Sequence, residues 1–210
     1  MSVNPKAHRD PDLVKRKLAR LQAPHVAGLN AMVRDINRRR ADDGAAPWFD
    51  PADGGTDADV LLLLECPGPR ASAHKGSGFV SADNDDQTAA NIFTLLHDAQ
   101  LDRKRIVIWN VVPWYLPSAD GKSTKNAKPA DVVEAEPWLD NLVTLLPGLR
   151  LVVPMGAPAL SGWMKYLTGS PQRALLPTLA VPHPSPQRLN TDTGARSRIL
   201  NAFTQAATLG

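Results

Sequence analysis

Residues 59–65 read DVLLLLE, and no other feature constrains the fold of this chain more. The run is apolar without alternation and too short for a core helix. It therefore predicts a strand covered on both faces, as the inner strands of a parallel sheet are. Residues 105–112 (RIVIWNVV), 149–154 (LRLVVP) and 177–181 (PTLAV) have the same character. Helical spacing of apolar residues separates these runs, over 86–99, 131–146 and 157–167. Strand and helix thus alternate, and the expected fold is α/β: a three-layer sandwich with a central four-stranded parallel sheet and flanking helices.

Each run ends in an unusual local sequence. Glu65-Cys66-Pro67-Gly68 follows the first, Asn110 to Trp114 (NVVPW) closes the second, Pro154-Met155-Gly156 the third, and His183-Pro184-Ser185-Pro186 follows the last. Ligands of open parallel sheets bind outside the carboxyl ends of the strands, so these four motifs are expected to meet at one cleft.

Charge divides the chain. Residues 1–40 carry a surplus of seven positive charges, whereas the remainder is four negative, for a total of +3. A basic helical segment over residues 1–42 is therefore expected ahead of a near-neutral domain over 43–210. In that segment 12–22 and 26–40 have helical spacing, Pro24 interrupts, and 42–57 reads as a loop. Such a segment suits either contact with a polyanion or a solvated helix face.

The single cysteine, Cys66, excludes an internal disulfide and a four-cysteine cluster, and the five histidines lack paired metal-ligand spacing. Neither a metal site nor a cofactor is expected. No apolar run approaches the ~20 residues of a membrane span, and no secretory leader is recognisable. A cytoplasmic monomer, nucleoid-associated if bacterial, is the expectation.

With ECPG after the first strand, HPSP after the last and NVVPW between them, the chain resembles the uracil-DNA glycosylase superfamily. That family has a first motif of the form G-x-x-P-G or G-x-D-P-Y and a last motif beginning H-P-S. The similarity covers roughly residues 59–190 and includes Glu136-Pro137-Trp138-Leu139. It implies an enzyme of DNA base excision repair, a monofunctional hydrolase that flips a uracil nucleotide into a pocket and cuts its N-glycosyl bond. DNA containing uracil is the implied partner, with no iron–sulfur cluster, since branches that carry one need four cysteines. No lysine nucleophile is indicated, so strand cleavage is not expected.

The resemblance also implies roles. His183 is the donor to the departing base, and its flanking prolines stiffen the turn that aims it. Asn110 reads the uracil edge, since an amide both donates and accepts. Phe79 stacks on the flipped base. Cys66, Pro67, Gly68 and Ser185 line the substrate pocket. Glu65 aligns with the glutamate linked to water activation, with Asp83 or Asp85 as further candidates. Gln187, Arg188 and Leu189 lie where a loop enters the minor groove, and Leu189 or Arg188 can fill the vacated stack. Lys122, Lys125 and Lys128 are phosphate contacts or simply a solvated loop.

The first motif departs from the family. Leu64 stands where a glycine is usual, and Cys66 replaces an Asp or Asn, so it cannot activate water as a carboxylate does. Asn126 occupies the place of a histidine that traps DNA covalently in a related branch, which argues against trapping here. Two alternatives stay open: a non-catalytic protein that binds lesions or abasic sites, and a glycosylase for another deaminated base such as hypoxanthine or xanthine.

Overall fold

The computed structural model describes residues 4–40, 45–73, 75–118 and 126–209. Among them are five strands: β1 (Trp48–Phe49), β2 (Val60–Leu64), β3 (Phe79–Val80), β4 (Ile106–Asn110) and β5 (Leu151–Pro154). The α-helices are α1 (Pro11–Leu18), α2 (Pro24–Arg39), α3 (Gln87–Asp98), α4 (Pro129–Thr144), α5 (Ala157–Thr168), α6 (Pro186–Thr191) and α7 (Ala195–Thr208). Pro24 begins α2 rather than merely interrupting a helix, because a first-turn proline surrenders no intrahelical bond.

The fold is α/β and its strands pair in parallel, but they form two sheets. One has three strands in the order β4-β2-β5, and the other pairs β1 with β3. The expected single four-stranded sheet is therefore corrected. Residues 177–181 do run beside β5, yet they touch it only through two isolated bridges, Val152 with Thr178 and Met155 with Val181. The cause is Pro154. Val152 N–H donates to Pro177 O, Leu179 N–H to Val152 O, Val181 N–H to Pro154 O and Gly156 N–H to Val181 O. The missing rung is the one residue 154 would donate, and proline has no N–H.

Burial explains the unbroken apolar runs. Every residue of β4, and all of β2 except Leu64, is buried. Helices α2, α4 and α5 pack as one group and α3, α6 and α7 as another. Residues 42–57 are not all loop, since they contain β1.

The basic N-terminal segment packs into the domain. Val26, Leu29, Met32, Val33 and Ile36 of α2 belong to the main core. Ahead of α2, Lys17 sits almost wholly buried and donates to Asp50 Oδ2 and Asp83 Oδ2, both at 2.6 Å. Its ammonium also lies 2.9 Å from His8 Nε2. Arg103 reaches the same acids, at 2.8 Å to Asp83 and 3.3 Å to Asp50. Burial alone would raise both carboxyls, but Lys17 and Arg103 outweigh it and hold Asp50 and Asp83 below the ordinary range. His8, Asp50 and Asp83 are close enough to share a cation, and the Lys17 ammonium already contacts all three.

Candidate active site

Strand register gathers the motifs. Leu64 lies opposite Asn110, and the pairing continues past both strands, with Val111 N–H donating to Leu64 O and Val112 N–H to Glu65 O. On the other flank Met155 N–H donates to Leu63 O, which brings Gly156 alongside the end of β2. Gly156 adopts φ +96°, and a Cβ there would stand 3.1 Å from His183 Cβ. A glycine thus permits both the turn and the close approach of the histidine. These ends enclose a cavity of about 360 Å³ whose walls include Glu65, Cys66, Pro67, Gly68, Asn110 and His183.

His183 is held from two sides. The Ser185 backbone N–H donates to its Nδ1 at 3.1 Å, and Asn91 Nδ2 of α3 donates to Pro184 O at 2.8 Å. With Nδ1 accepting, the neutral ring carries its proton on Nε2. Burial lowers the His183 pKa below 6.5, which favours that neutral form. The site therefore holds an imidazole donor rather than an imidazolium.

Asn110 closes β4, 2% exposed. Its Nδ2 is buried on the cavity wall and has no hydrogen-bond partner among the described residues. Leaving such a donor unpaired costs about 1–3 kcal/mol. Buried orphan donors are uncommon, and a ligand edge would satisfy this one.

Three side chains on the walls bear on water and acid–base chemistry. Glu65 Oε1 accepts from Ala127 N–H at 2.8 Å, which ties the end of β2 to the residues before α4. The Cys66 thiol is pushed up to about 12 by burial and by the nearby Glu65 and Asp131, so it stays protonated and is no nucleophile. Asp86 also lines the cavity. Its side chain caps α3 by accepting from Ala89 N–H, and burial raises its pKa. Sequence reading missed Asp86, although an Asp directly before a helical pattern is an N-cap signal.

Other expectations are not met by the geometry. Phe79 does not line the cavity: it is fully buried in β3 beside β1, with its ring 5.8 Å from that of His8. The pairing of β3 with β1 buries this position, while its neighbours Val80 and Ser81 line the cavity. Ser185 does not line the cavity either. Its hydroxyl accepts from Arg188 N–H as the cap of α6, and its own N–H orients His183.

The segment of Gln187, Arg188 and Leu189 is the helix α6 rather than a loop. Gln187 and Arg188 are exposed, Arg188 pairs with Asp192 at 3.4 Å, and Leu189 packs partly buried against the core. Asp83 belongs to the buried ionic cluster, and Asp85 pairs with Arg9 at 2.8 Å, so neither faces the cavity. Lys122 and Lys125 lie outside the described residues, whereas Asn126 lines the cavity. A Cβ at Gly68 would meet nothing within 4 Å, so protein packing does not require glycine there.

Comparison with known proteins bears on the family and the fold. The family model described as the uracil DNA glycosylase superfamily matches residues 51–207. The crystal structure of wild-type SMUG2 from Pedobacter heparinus superposes with a TM-score of 0.53 at 12% identity, covering 83% of this chain and 96% of that one. At that identity the likeness concerns the fold. No curated protein sequence matches the chain.

Proposed function

Because the chain belongs to the uracil DNA glycosylase superfamily, we propose that it hydrolyses the N-glycosidic bond of uracil in DNA and leaves an abasic site. The observation that carries this reading is the buried, unpartnered Asn110 amide donor on the same cavity wall as a neutral His183.

A base inside duplex DNA is out of reach, so the nucleotide is flipped into the cavity. The Asn110 amide then pairs with the base edge, its Nδ2 donating to a carbonyl and its Oδ1 accepting from a ring N–H. As the bond from C1′ to the base nitrogen breaks, the sugar becomes oxocarbenium-like and negative charge grows on the base. His183 Nε2–H donates to that developing oxyanion. A preorganised donor of this kind is worth about 3–4 kcal/mol in the transition state. Water adds to C1′ and releases a proton, and the base leaves as the anion that takes up a proton. Glu65, with one oxygen committed to Ala127, orients that water through the other. Asp86 is the second carboxylate within the same cavity.

Incubation with a uracil-containing oligonucleotide, followed by alkali, tests the proposal. A strand cut only at uracil supports it. Retained binding without a cut, even at large protein excess, would leave a lesion-binding protein instead.

One observation favours a second reading, excision of a larger deaminated base. With Phe79 buried in β3, no Phe, Tyr or Trp among the described residues lines the cavity of about 360 Å³. Faster excision from hypoxanthine-containing DNA than from uracil-containing DNA would establish it.

A further inference from the structure

Beside the base cavity lies a second depression, of about 440 Å³, and Arg70 belongs to the walls of both. One side of it is α1, with Pro11, Val14 and Lys15, and the other is the loop that carries Lys75. These segments are distant in sequence, but both are fastened. Lys17 anchors α1 through its buried ion pairs, and His8 N–H donates to Asp83 O. Across the groove, Gly76 N–H donates to Ser72 O and Ser77 N–H to Arg70 O. A Cβ on Gly76 would fall 2.0 Å from Arg70 O, so the loop closes only with glycine there.

Among the described residues of this groove, cations outnumber acids. Lys15, Arg70 and Lys75 are all exposed. The acid in the lining, Asp85, is matched by Arg9 at 2.8 Å. Lys15 meets Asp12 only at 3.5 Å, with both side chains more than 70% exposed, an ion pair that a phosphate can readily replace. Both ring nitrogens of His8 are engaged, by Asn84 and Lys17, so its contribution to the lining is apolar. Cations lining a groove beside apolar Pro11 and Val14 are the chemistry of a single nucleic-acid strand, whose phosphates want charge and whose sugars and bases want apolar contact.

We infer that this groove is a second nucleic-acid subsite, which holds the nucleotides adjoining the flipped one on the same strand, with Lys15 and Lys75 at their phosphates. The inference rests on the glycosylase reading for the direction of the strand, because a chain with its base in the first cavity passes Arg70 to reach the second. The basic N-terminal segment then has two jobs: α2 builds the core, and α1 forms one wall of the DNA path.

The test uses the full chain, the double variant Lys15→Ala/Lys75→Ala, and labelled single-stranded oligonucleotides with one central abasic analogue that cannot be cut. On the long oligonucleotide the variant is expected to bind about tenfold more weakly, with a salt slope shallower by about 1.4. Trimming the strand to one nucleotide on one side of the lesion should abolish that difference, whereas trimming the other side should preserve it. Equal affinities on the long strand would overturn the inference. So would a difference that survives both truncations, which would mean diffuse charge, or displacement by polyglutamate as effective as by DNA, which would mean an acidic protein site.

Uracil oligonucleotides with alkali treatment keep the two ideas apart. No excision by either protein, with the one-sided length effect intact, overturns the glycosylase and keeps the groove. Equal long-strand binding by both proteins, with normal excision, does the reverse.

Discussion

The backbone N–H of Ser185 donates to Nδ1 of His183 at 3.1 Å, and this bond decides which ring nitrogen carries the proton. It leaves Nε2–H as the donor that the cavity can use. The hydroxyl of the same serine caps α6, so one residue both starts the helix and sets the histidine.

From that pairing follows a pH dependence. Burial lowers the His183 pKa from 6.5, so the neutral ring prevails above that value. Protonation would place a proton on Nδ1 and break the bond to Ser185. The single-turnover rate should be level above pH 6.5 and fall as pH drops through the lowered value. Stability should change in the same sense: the contribution from His183 is full above 6.5 and lost below it, because the unfolded chain binds the proton more readily. A rate that rises on acidification would show imidazolium to be the donor. Removing the ring in His183→Ala should cost about 10²–10³ in rate.

Asn110→Ala separates function from stability. It deletes a buried donor that has no described partner, so the melting temperature should hold or rise while excision falls at least about 100-fold. Alkali cleavage and thermal melting, read on one preparation, check both halves. A large loss of stability would instead mean that the amide has a structural partner.

Two carboxylates compete for the water. Glu65→Gln keeps an oxygen to accept from Ala127 N–H, and Asp86→Asn keeps a side chain suited to capping α3. Both variants should therefore fold. Glu65→Gln is expected to lower the single-turnover rate about 10²-fold, the range of general base catalysis, and Asp86→Asn to lower it less. The reverse order would transfer the role to Asp86, whose pKa burial raises.

Lys17→Met should destabilise the fold by up to about 3–5 kcal/mol, because it leaves the buried Asp50 and Asp83 with Arg103 but without the ammonium they share. Urea titration measures this. In the parent chain these depressed carboxyls contribute stability above 3.8, and it is lost as pH falls through their folded values. The variant should lose less on acidification across that range.

Phe79→Leu tests the stacking role. The ring is fully buried, so the change should cost about 1–3 kcal/mol of stability with near-normal excision at a temperature where the variant is folded. A rate loss of tenfold or more without a stability loss would return Phe79 to the site.

Much of this molecule was legible in local pattern. Continuous apolar runs such as 60–64 betray burial on both faces, and the position of Asn110 and His183 after such runs places them at the carboxyl edge of a parallel sheet. Less was legible where a backbone detail far away intervenes. Residues 177–181 have strand composition, but the absent N–H of Pro154, in a different segment, breaks their ladder. Phe79 takes its stacking role from the resemblance alone, and only its parallel pairing with Trp48 shows it to be fully buried in β3.

Sequence by itself determined the α/β class, the strand-end cluster of motifs and the lack of any disulfide within the chain, because periodicity, motif order and cysteine count are local or additive properties. Tertiary structure decided which nitrogen of His183 donates, that Asn110 Nδ2 has no partner among the described residues at the cavity, that Asp86 joins Glu65 there, and that Lys17 is an internal cation rather than a surface charge. Those outcomes depend on which distant groups arrive within about 3 Å of one another, the hydrogen-bonding distance. Residues widely separated in the chain meet only through the packing of the whole, and no local pattern encodes that meeting.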